Sequence, residues 1–366
     1  MKKKNNFNQE IYSRILKPGY EDYKNMLHEF RPFMMFTNAD NYKTNKVNTD
    51  RLGFRKVIYK GKLIGIDELK KYSKTIDVLL GGSTAFSMGS LSDKETIHSE
   101  LTNLKRLCFS LGIRGASSHQ ELLAFLKFKN FFPAVKNIII LSGFNDIAIA
   151  AEKESIFYQD FGTVMGARHH ALNFLFQSGS HYEERWIKGM YNFFFYVVYL
   201  SNKSKTFKKF LSFFSYFKQG RLQLKTAKLL NQTFEQKIKN LNKMISNDFD
   251  TWSIIQKQLK INIIYVFQPV LSWTNKPLTN FESQIFQTEK KNLKYSFAKD
   301  YTDKKIYKKH RDFIKNCCHK SGIKFLDGNQ LILKSDHKKN FFIDMTHLTS
   351  YGNEFMARNI NKFLID

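Results

Sequence analysis

Cysteine and proline are both scarce in this sequence. Among its 366 residues there are only 3 Cys and 5 Pro. Cys317 and Cys318 are neighbours and would form a strained pair, and Cys108 lies in an apolar run where it is expected to pack as a small hydrophobic residue. These features argue against a fold held together by disulfides. With so few prolines and only 18 glycines, the chain is neither collagen-like nor dominated by linkers.

Acidic residues are scarce relative to basic ones. The chain has 32 Asp and Glu against 59 Lys and Arg, which gives a formal net charge of +27. A charge of this size points to an anionic partner, such as nucleic acid, an anionic membrane or an acidic glycan, and says nothing about the fold. Aromatic residues are plentiful, with 36 Phe and 17 Tyr, so apolar surface for a core is available. The length indicates two domains, or one domain with a large insertion.

Long apolar stretches are missing. The N-terminal sequence MKKKNNFNQEIYSRILK has no apolar run behind its basic residues, so we predict no signal peptide. The longest apolar block, Met190 to Leu200, is shorter than the roughly 20 residues that a membrane-spanning helix needs. The default expectation is a soluble, cytoplasmic protein that is peripheral to a membrane only if a surface of its own binds one.

Five short apolar runs predict the strands of a sheet. Residues 1–70 are polar and irregular, and we treat them as an N-terminal extension. The runs that follow do not alternate with polar residues, as expected for strands buried on both faces. They are Ile76–Leu80, Leu104–Leu111, Asn137–Leu141, Ile261–Phe267 and Ile323–Leu326.

Helical patterns lie between these runs. Ser92 with Glu95, and Ser118 with Glu121, have the spacing of capping boxes that open helices. Strands that alternate with helices predict a parallel sheet with helices on both faces, over residues 71–150 and 236–366.

A gap of about 120 residues separates the third and fourth runs, which is far longer than a crossover requires. We predict a mostly helical insertion over 151–235, with an aromatic block at 189–217 and a basic tract at 201–230. One hypothesis is a helical hairpin packed on the sheet domain. A second is a lid or surface that meets anionic headgroups through lysines such as Lys203 and Lys208. Nucleic acid is a weaker alternative, because no binding motif is present.

Polar residues follow the predicted strands where each strand ends. Ser83 follows the first run, Gly115 lies shortly after the second, Asn145 follows the third, and Asp344 and His347 lie near the C-terminus. Ligands of open parallel sheets bind outside the carboxyl ends of the strands. These residues suit acyl transfer, because a serine nucleophile needs a histidine base and the base needs an orienting carboxylate. The backbone N–H groups of Ser83 and Gly115 and the amide of Asn145 would supply the oxyanion hole.

The sequence around these residues resembles the SGNH hydrolases, also called the GDSL esterase/lipase superfamily. The strings GGSTAFSMGS, LGIRGASSHQELL, LSGFNDI and DMTHLTSYGNEFMA resemble a bacterial branch found with surface-polysaccharide genes, as do residues 48–55 (NTDRLGFR) and 267–269 (FQP). The resemblance implies a three-layer α/β/α sandwich with a five-stranded parallel, flavodoxin-like sheet, and the same catalytic roles. Gly82 and Ser110 stand where the family usually has Asp and Asn. A classical α/β-hydrolase fits less well, because Ala85 replaces the second glycine of its nucleophile elbow.

The expected function is that of a serine esterase acting on an O-acyl group, first of all O-acetyl, of a carbohydrate or lipid-linked glycan. Ser83, Asp344 and His347 would form its catalytic triad. The same triad would serve an O-acyltransferase, and a non-catalytic binding protein in envelope polysaccharide assembly is a further alternative. No metal or nucleotide cofactor is expected, since the pair His169-His170 has no further ligands near it in sequence.

Three other polar residues have less specific interpretations. His98, on the first predicted helix, is expected to be exposed or to have its hydrogen bonds satisfied. Asp146 is expected to cap the segment that follows it and to have no catalytic role. Gln268, at the end of the fourth run, would either line a pocket or simply pack.

Overall fold

The computed structural model describes residues 22–23, 26–31, 34–151, 156–158, 162–164, 232–293 and 304–365. The strands are β1 (His28–Arg31), β2 (Met35–Asn38), β3 (Val57–Tyr59), β4 (Lys62–Ile64), β5 (Thr75–Gly81), β6 (Cys108–Ser110), β7 (Ala134–Ser142), β8 (Ile156–Tyr158), β9 (Gly162–Val164), β10 (Asn262–Phe267) and β11 (Lys324–Asp327). The α-helices are α1 (Leu69–Tyr72), α2 (Ile97–Leu104), α3 (Ser118–Phe128), α4 (Asn145–Ala151), α5 (Phe234–Leu259), α6 (Asn280–Leu293), α7 (Lys304–Ser321), α8 (Gly328–Leu333) and α9 (Ser350–Asn361).

Five of these strands form one parallel sheet. Their order across the sheet is β11-β10-β7-β5-β6, and every neighbouring pair is parallel. Numbered along the chain, this is the order 2-1-3-4-5 of flavodoxin-like, doubly wound folds. The direction of winding reverses between β5 and β7, and ligands of such folds bind at that reversal. The predicted α/β class and five-stranded parallel sheet are confirmed.

Apolar side chains on both faces of the sheet hold the layers together. On β5, Val78 and Leu80 face one side and Leu79 faces the other, and all three are fully buried. The first side packs against α3, α5 and α7 through residues such as Phe125, Trp252 and Ile314. The second packs against α2 and α9 through Leu101, Met356 and Ile360. Because each strand is covered on both sides, its sequence shows no polar alternation.

The second predicted strand is much shorter than its apolar run. Leu104 is the last residue of α2, and only Cys108–Ser110 pair with β5. The run therefore combines the exposed last residue of a helix, a short turn and a short edge strand. An apolar run alone does not distinguish these environments.

The capping box predicted at Ser92 does not open a helix. It opens a single 3-10 turn, since the carboxylate of Glu95 accepts a hydrogen bond from Ser350 Oγ at 2.6 Å instead of reaching back to Ser92. The helix α2 is capped by Thr96, whose side chain accepts from the first turn.

The second predicted box is displaced by one residue. The cap of α3 is Ser117 with Gln120, not Ser118 with Glu121. Glu121 points into the protein, where its carboxylate accepts a hydrogen bond from Ser142 Oγ at 2.8 Å. A buried hydroxyl donor therefore binds the glutamate that the local pattern assigns to the cap.

Several buried residues of the segment 1–70 belong to the same core as the sheet. Phe54 and Val57 are fully buried and pack in the cluster that contains Val78. Arg55 is also fully buried, and it donates to Asp93 Oδ1 and to the carbonyl of Ser87, both at 2.8 Å. A guanidinium is tolerated there because a carboxylate and backbone carbonyls satisfy it.

Most of the predicted insertion lies outside the described residues, including the aromatic block 189–217, the basic tract 201–230 and His169-His170. Within 151–235 the structure describes the antiparallel pair β8–β9 and the first residues of α5. The membrane-binding and packed-hairpin hypotheses both stay predictions. None of the helices in the described ranges is long and apolar enough to cross a membrane.

His98 makes the stability of the fold depend on pH. It is completely buried, with Nε2 3.3 Å from the carbonyl of Lys56, and burial, helped by the nearby charge of Arg55, lowers its pKa to about 3. In the unfolded chain a histidine titrates near pH 6.5, so folding stabilises its neutral form and stability is lost as the pH falls below that value.

We expect His98→Gln to weaken this pH dependence. Between pH 7.5 and pH 5, the free energy of unfolding of the parent should fall by about 2 kcal/mol more than that of the variant. Urea unfolding at the two pH values measures the difference. Parallel losses in parent and variant would show that His98 does not carry the effect.

Candidate active site

The turn after β5 carries Ser83. Gly81 ends the strand with a φ of +150°, and a Cβ at this position would lie 2.3 Å from the carbonyl oxygen of Leu141. Only glycine fits such a close approach between neighbouring strands. The turn that follows places Ser83 at the carboxyl edge of the sheet, partly exposed to solvent.

Ser110 ties the end of β6 to the same turn. Its Oγ donates to the carbonyl of Ala85 at 3.0 Å and accepts from the backbone N–H of Gly112 at 3.1 Å. A Cβ on Gly112 would lie 2.4 Å from the backbone nitrogen of Phe86, so the two loops are in van der Waals contact here. Ser110 therefore acts as a bridge between two site loops.

A short loop near the C-terminus carries Asp344 and His347, the predicted acid and base. We call residues 341–349 the acid–base loop; Phe342 and Leu348 form an antiparallel bridge at its base. Asp344 Oδ1 accepts from the backbone N–H groups of Thr346 at 2.8 Å and His347 at 2.7 Å. These bonds fix the carboxylate, and its second oxygen faces the imidazole.

The structure brings Ser83, His347 and Asp344 into one hydrogen-bonded chain. His347 Nδ1 lies 2.7 Å from Asp344 Oδ2, and His347 Nε2 lies 2.7 Å from Ser83 Oγ. With Nδ1 facing a carboxylate, that nitrogen carries the proton and Nε2 is left to accept one from the serine hydroxyl. Both distances lie within the range of ordinary hydrogen bonds.

Asn145 lies between the loops of Ser83 and Gly115. Its Nδ2 donates to the carbonyl of Ala116 at 2.7 Å, and a Cβ on Gly82 would lie only 2.2 Å from the same nitrogen. The amide therefore contacts the residue before Ser83 and the residue after Gly115. Among the described residues, no hydrogen-bond acceptor pairs with the backbone N–H of Ser83 or Gly115. The three predicted oxyanion donors thus come from adjoining loops.

This contact predicts that any side chain at position 82 will displace the amide of Asn145. We expect Gly82→Ala to fold normally, because the clash is with the end of a side chain, and to lower kcat about tenfold or more by displacing the amide of Asn145. Steady-state kinetics on a small ester, with circular dichroism as the check on folding, measure both. An unchanged kcat would show that the amide is not needed where the structure places it.

Two residues outside the triad hold the acid–base loop. The carbonyl of Thr346 accepts from Thr84 Oγ1 at 3.2 Å and from Gln268 Nε2 at 3.4 Å. Gln268 is almost fully buried, so of its two expected roles the structure shows packing against the loop. The role of Thr84 was missed in the sequence, although it directly follows the nucleophile.

Asp146 is a cap, but of a different helix from the one expected. Its Oδ1 accepts from the backbone N–H of Ser118, in the first turn of α3, at 3.1 Å. Burial raises the pKa of Asp146 to about 6. The capping expectation was wrong about the helix, because the tertiary fold places the first turn of α3 beside the start of α4.

Within the described ranges, no cluster of three or more His, Cys, Asp or Glu side chains has an arrangement suited to a metal ion.

No family model and no curated protein matches the sequence. Among solved structures, an acetyl xylan esterase aligns with 79% of this chain and 100% of its own, at 9% identity and a TM-score of 0.39. A GDSL-like lipase from Bacteroides thetaiotaomicron aligns with 80% of this chain and 88% of its own, at 15% identity and a TM-score of 0.36. An acetyl-xylooligosaccharide esterase variant from Geobacillus aligns with 79% and 93%, at 10% identity and a TM-score of 0.37. Similarity this distant supports no conclusion about activity.

The chain's own sheet order and site geometry can be compared with what the sequence resemblance implies. The sheet has the 2-1-3-4-5 order, and the residues of the four sequence blocks meet at the edge where the winding reverses. The blocks contribute, in chain order, Ser83, Gly115, Asn145 and the pair Asp344 and His347. The sheet order therefore agrees with the fold that the resemblance to the SGNH hydrolases implies, and the residues of the four blocks lie together at one edge of that sheet.

Proposed function

We propose that this protein is a serine esterase that hydrolyses an O-acyl ester, in the first place an O-acetyl ester, of a carbohydrate or lipid-linked glycan. The observation that carries the proposal is the continuous hydrogen-bonded chain from Ser83 Oγ through His347 to Asp344, with 2.7 Å at each step. A serine held this close to a neutral imidazole can lose its proton to Nε2 as it attacks.

The first half of the reaction forms an acyl-enzyme. Ser83 Oγ attacks the ester carbonyl carbon while His347 Nε2 takes the hydroxyl proton. The negative charge that develops on the carbonyl oxygen is stabilised by the N–H groups of Ser83 and Gly115 and by the amide of Asn145. The imidazolium, stabilised by Asp344, then protonates the departing alcohol as the C–O bond breaks.

The second half returns the enzyme to its starting state. Water attacks the acyl carbon and gives a proton to His347, and the tetrahedral intermediate collapses to release the carboxylic acid. His347 returns that proton to Ser83 Oγ. Each step uses only the residues of the acid–base loop, the serine turn and the oxyanion donors.

The sequence resemblance supports the choice of substrate class. The blocks around Ser83 and His347 are similar to a branch of the family found with surface-polysaccharide genes. Acylated glycans are the esters that such a setting would supply as substrates. A panel of p-nitrophenyl esters from acetyl to palmitoyl, with Ser83→Ala as the control, tests the proposal. We expect turnover of the shortest esters that disappears in the variant. Equal rates in parent and variant, or no turnover of any ester, would contradict it.

Two added measurements separate the alternatives. Transfer to a sugar hydroxyl uses the same acyl-enzyme, so an oligosaccharide acceptor added to the assay would become acylated if the protein is an acyltransferase. A fluorophosphonate labels an activated serine covalently. Failure of Ser83 to react in a folded sample would favour a binding protein that retains the fold.

A further inference from the structure

The stem of the acid–base loop is attached to a buried carboxylate that takes no part in the proposed chemistry. Phe341 and Phe342, the first residues of the loop, are fully buried. Their backbone N–H groups both donate to Glu282 Oε1, at 2.9 Å and 3.4 Å. Asp344 follows Phe342 by two residues, so the carboxylate of Glu282 holds the backbone just before the proposed catalytic acid.

Glu282 also closes the start of α6. It accepts from the backbone N–H of Thr279 at 3.3 Å, and its own N–H donates to Thr279 Oγ1 at 3.2 Å, which is the reciprocal pattern of a capping box. A capping box needs only one carboxylate oxygen. The other oxygen of Glu282 reaches the loop.

The charge of Glu282 is paired with Lys276 in the interior. Nζ of Lys276 donates to Glu282 Oε2, and neither side chain is exposed to solvent. The ammonium also donates to the carbonyl of Pro277 at 3.1 Å and lies 5.7 Å from the ring centroid of Phe341. Glu282 therefore contacts the backbone of the first two residues of the acid–base loop, and Lys276 lies beside the ring of the first.

A fully buried ion pair is a poor source of stability. Removing two charges from water costs free energy that their mutual attraction often only offsets, and well-packed apolar replacements are often as stable. A capping glutamate at a solvent-exposed helix start would avoid that cost. What the buried pair achieves here is to hold a fixed acceptor oxygen against two adjacent N–H groups of the acid–base loop.

We propose that Glu282, held by Lys276, is a positioning residue that sets the stem of the acid–base loop and thereby aligns Asp344 and His347 with Ser83. The inference rests on the proposed esterase function for its catalytic readout. The bond between His347 Nδ1 and Asp344 Oδ2 provides a second readout that needs no turnover, because a proton shared in this way gives a far-downfield signal in the proton NMR spectrum.

Three variants test the role of the acceptor oxygen. Lys276→Met with Glu282→Leu removes both charges and the acceptor. Lys276→Met with Glu282→Gln is the matched control, since it removes both charges but keeps a side-chain oxygen for the N–H of Phe341. Glu282→Asp keeps the charge beside Lys276 but shortens the side chain by one methylene, which withdraws the acceptor from the loop.

We expect the leucine double variant to lose about tenfold to a hundredfold in kcat on p-nitrophenyl acetate, with KM little changed, and to lose the downfield proton signal. The glutamine double variant should keep both near the parent. A folded leucine variant with parental kcat and signal would overturn the proposal, and so would a glutamine variant as impaired as the leucine one. If the leucine variant does not fold, Glu282→Asp decides: a lower kcat and a weakened signal support the proposal, and parental values overturn it.

The two proposals fail in different ways. If the parent cleaves no ester but shows the downfield signal, the esterase function is wrong, and the effect of the variants on that signal alone decides the positioning role. If the parent is an active esterase and the folded variants match it, only the positioning role is wrong.

Discussion

Replacing Ser83 or His347 with alanine is expected to reduce kcat on a p-nitrophenyl ester by about 10³-fold to 10⁶-fold. In the proposed mechanism Ser83 Oγ forms the covalent bond, and His347 Nε2, 2.7 Å away, takes and returns its proton. Because the two groups act as one unit, the double variant should be hardly slower than either single variant. Asp344→Asn should lose a comparable or smaller factor, since it orients the base.

Matched controls separate the effect from general damage. Ser253→Ala on α5 and His337→Ala, which is exposed, change the same residue types without touching the site, and both should match the parent. Circular dichroism and thermal unfolding of each variant check the fold. A Ser83→Ala protein that keeps more than about a tenth of the parental rate, a difference of only about 1.4 kcal/mol, would show that the triad is wrongly assigned.

Removing the amide of Asn145 is the second large effect. We expect Asn145→Ala to lower kcat by about 10²-fold to 10³-fold with little change in KM, because its donor acts on charge that exists only in the transition state. The bond from Nδ2 to the carbonyl of Ala116 holds that donor between the two site loops. Asn247→Ala, at an exposed position on α5, is the matched control.

Measuring kcat and KM separately shows whether Asn145 acts in the transition state or in substrate binding. A variant that raised KM alone would show that Asn145 binds the substrate equally in the ground and transition states. In that case the oxyanion would depend on the N–H groups of Ser83 and Gly115, and the Gly82→Ala variant should also leave kcat unchanged.

Much of the architecture could be predicted from local pattern. The apolar runs at Ile76–Leu80, Asn137–Leu141 and Ile261–Phe267 lie within or overlap β5, β7 and β10, because a strand covered on both faces is apolar at most of its positions. The run ending at Leu111 was predicted too long, since Leu104 ends a helix and residues 105–107 form a turn before the strand. A run of apolar residues therefore does not by itself show which of its positions are in a strand and which are in a helix or a turn.

The helix caps show where local pattern is overruled. Glu95 and Glu121 both have the spacing of capping residues, yet their carboxylates accept hydrogen bonds from Ser350 and Ser142. Those partners are distant in sequence and become neighbours only when the layers assemble. The burial of Arg55 could not be predicted for the same reason, because its neighbours in sequence do not indicate that it packs against the turn after Ser83.

The sequence by itself determined which residues with catalytic chemistry lie at strand ends, because strand and turn patterns are local. It also determined that Asp344 and His347 share one short loop, since three residues cannot separate them far. Only the tertiary structure decided that this loop faces Ser83, 264 residues away along the chain, at 2.7 Å. That meeting depends on the order of the strands, because the order is set by packing between segments that are far apart in sequence.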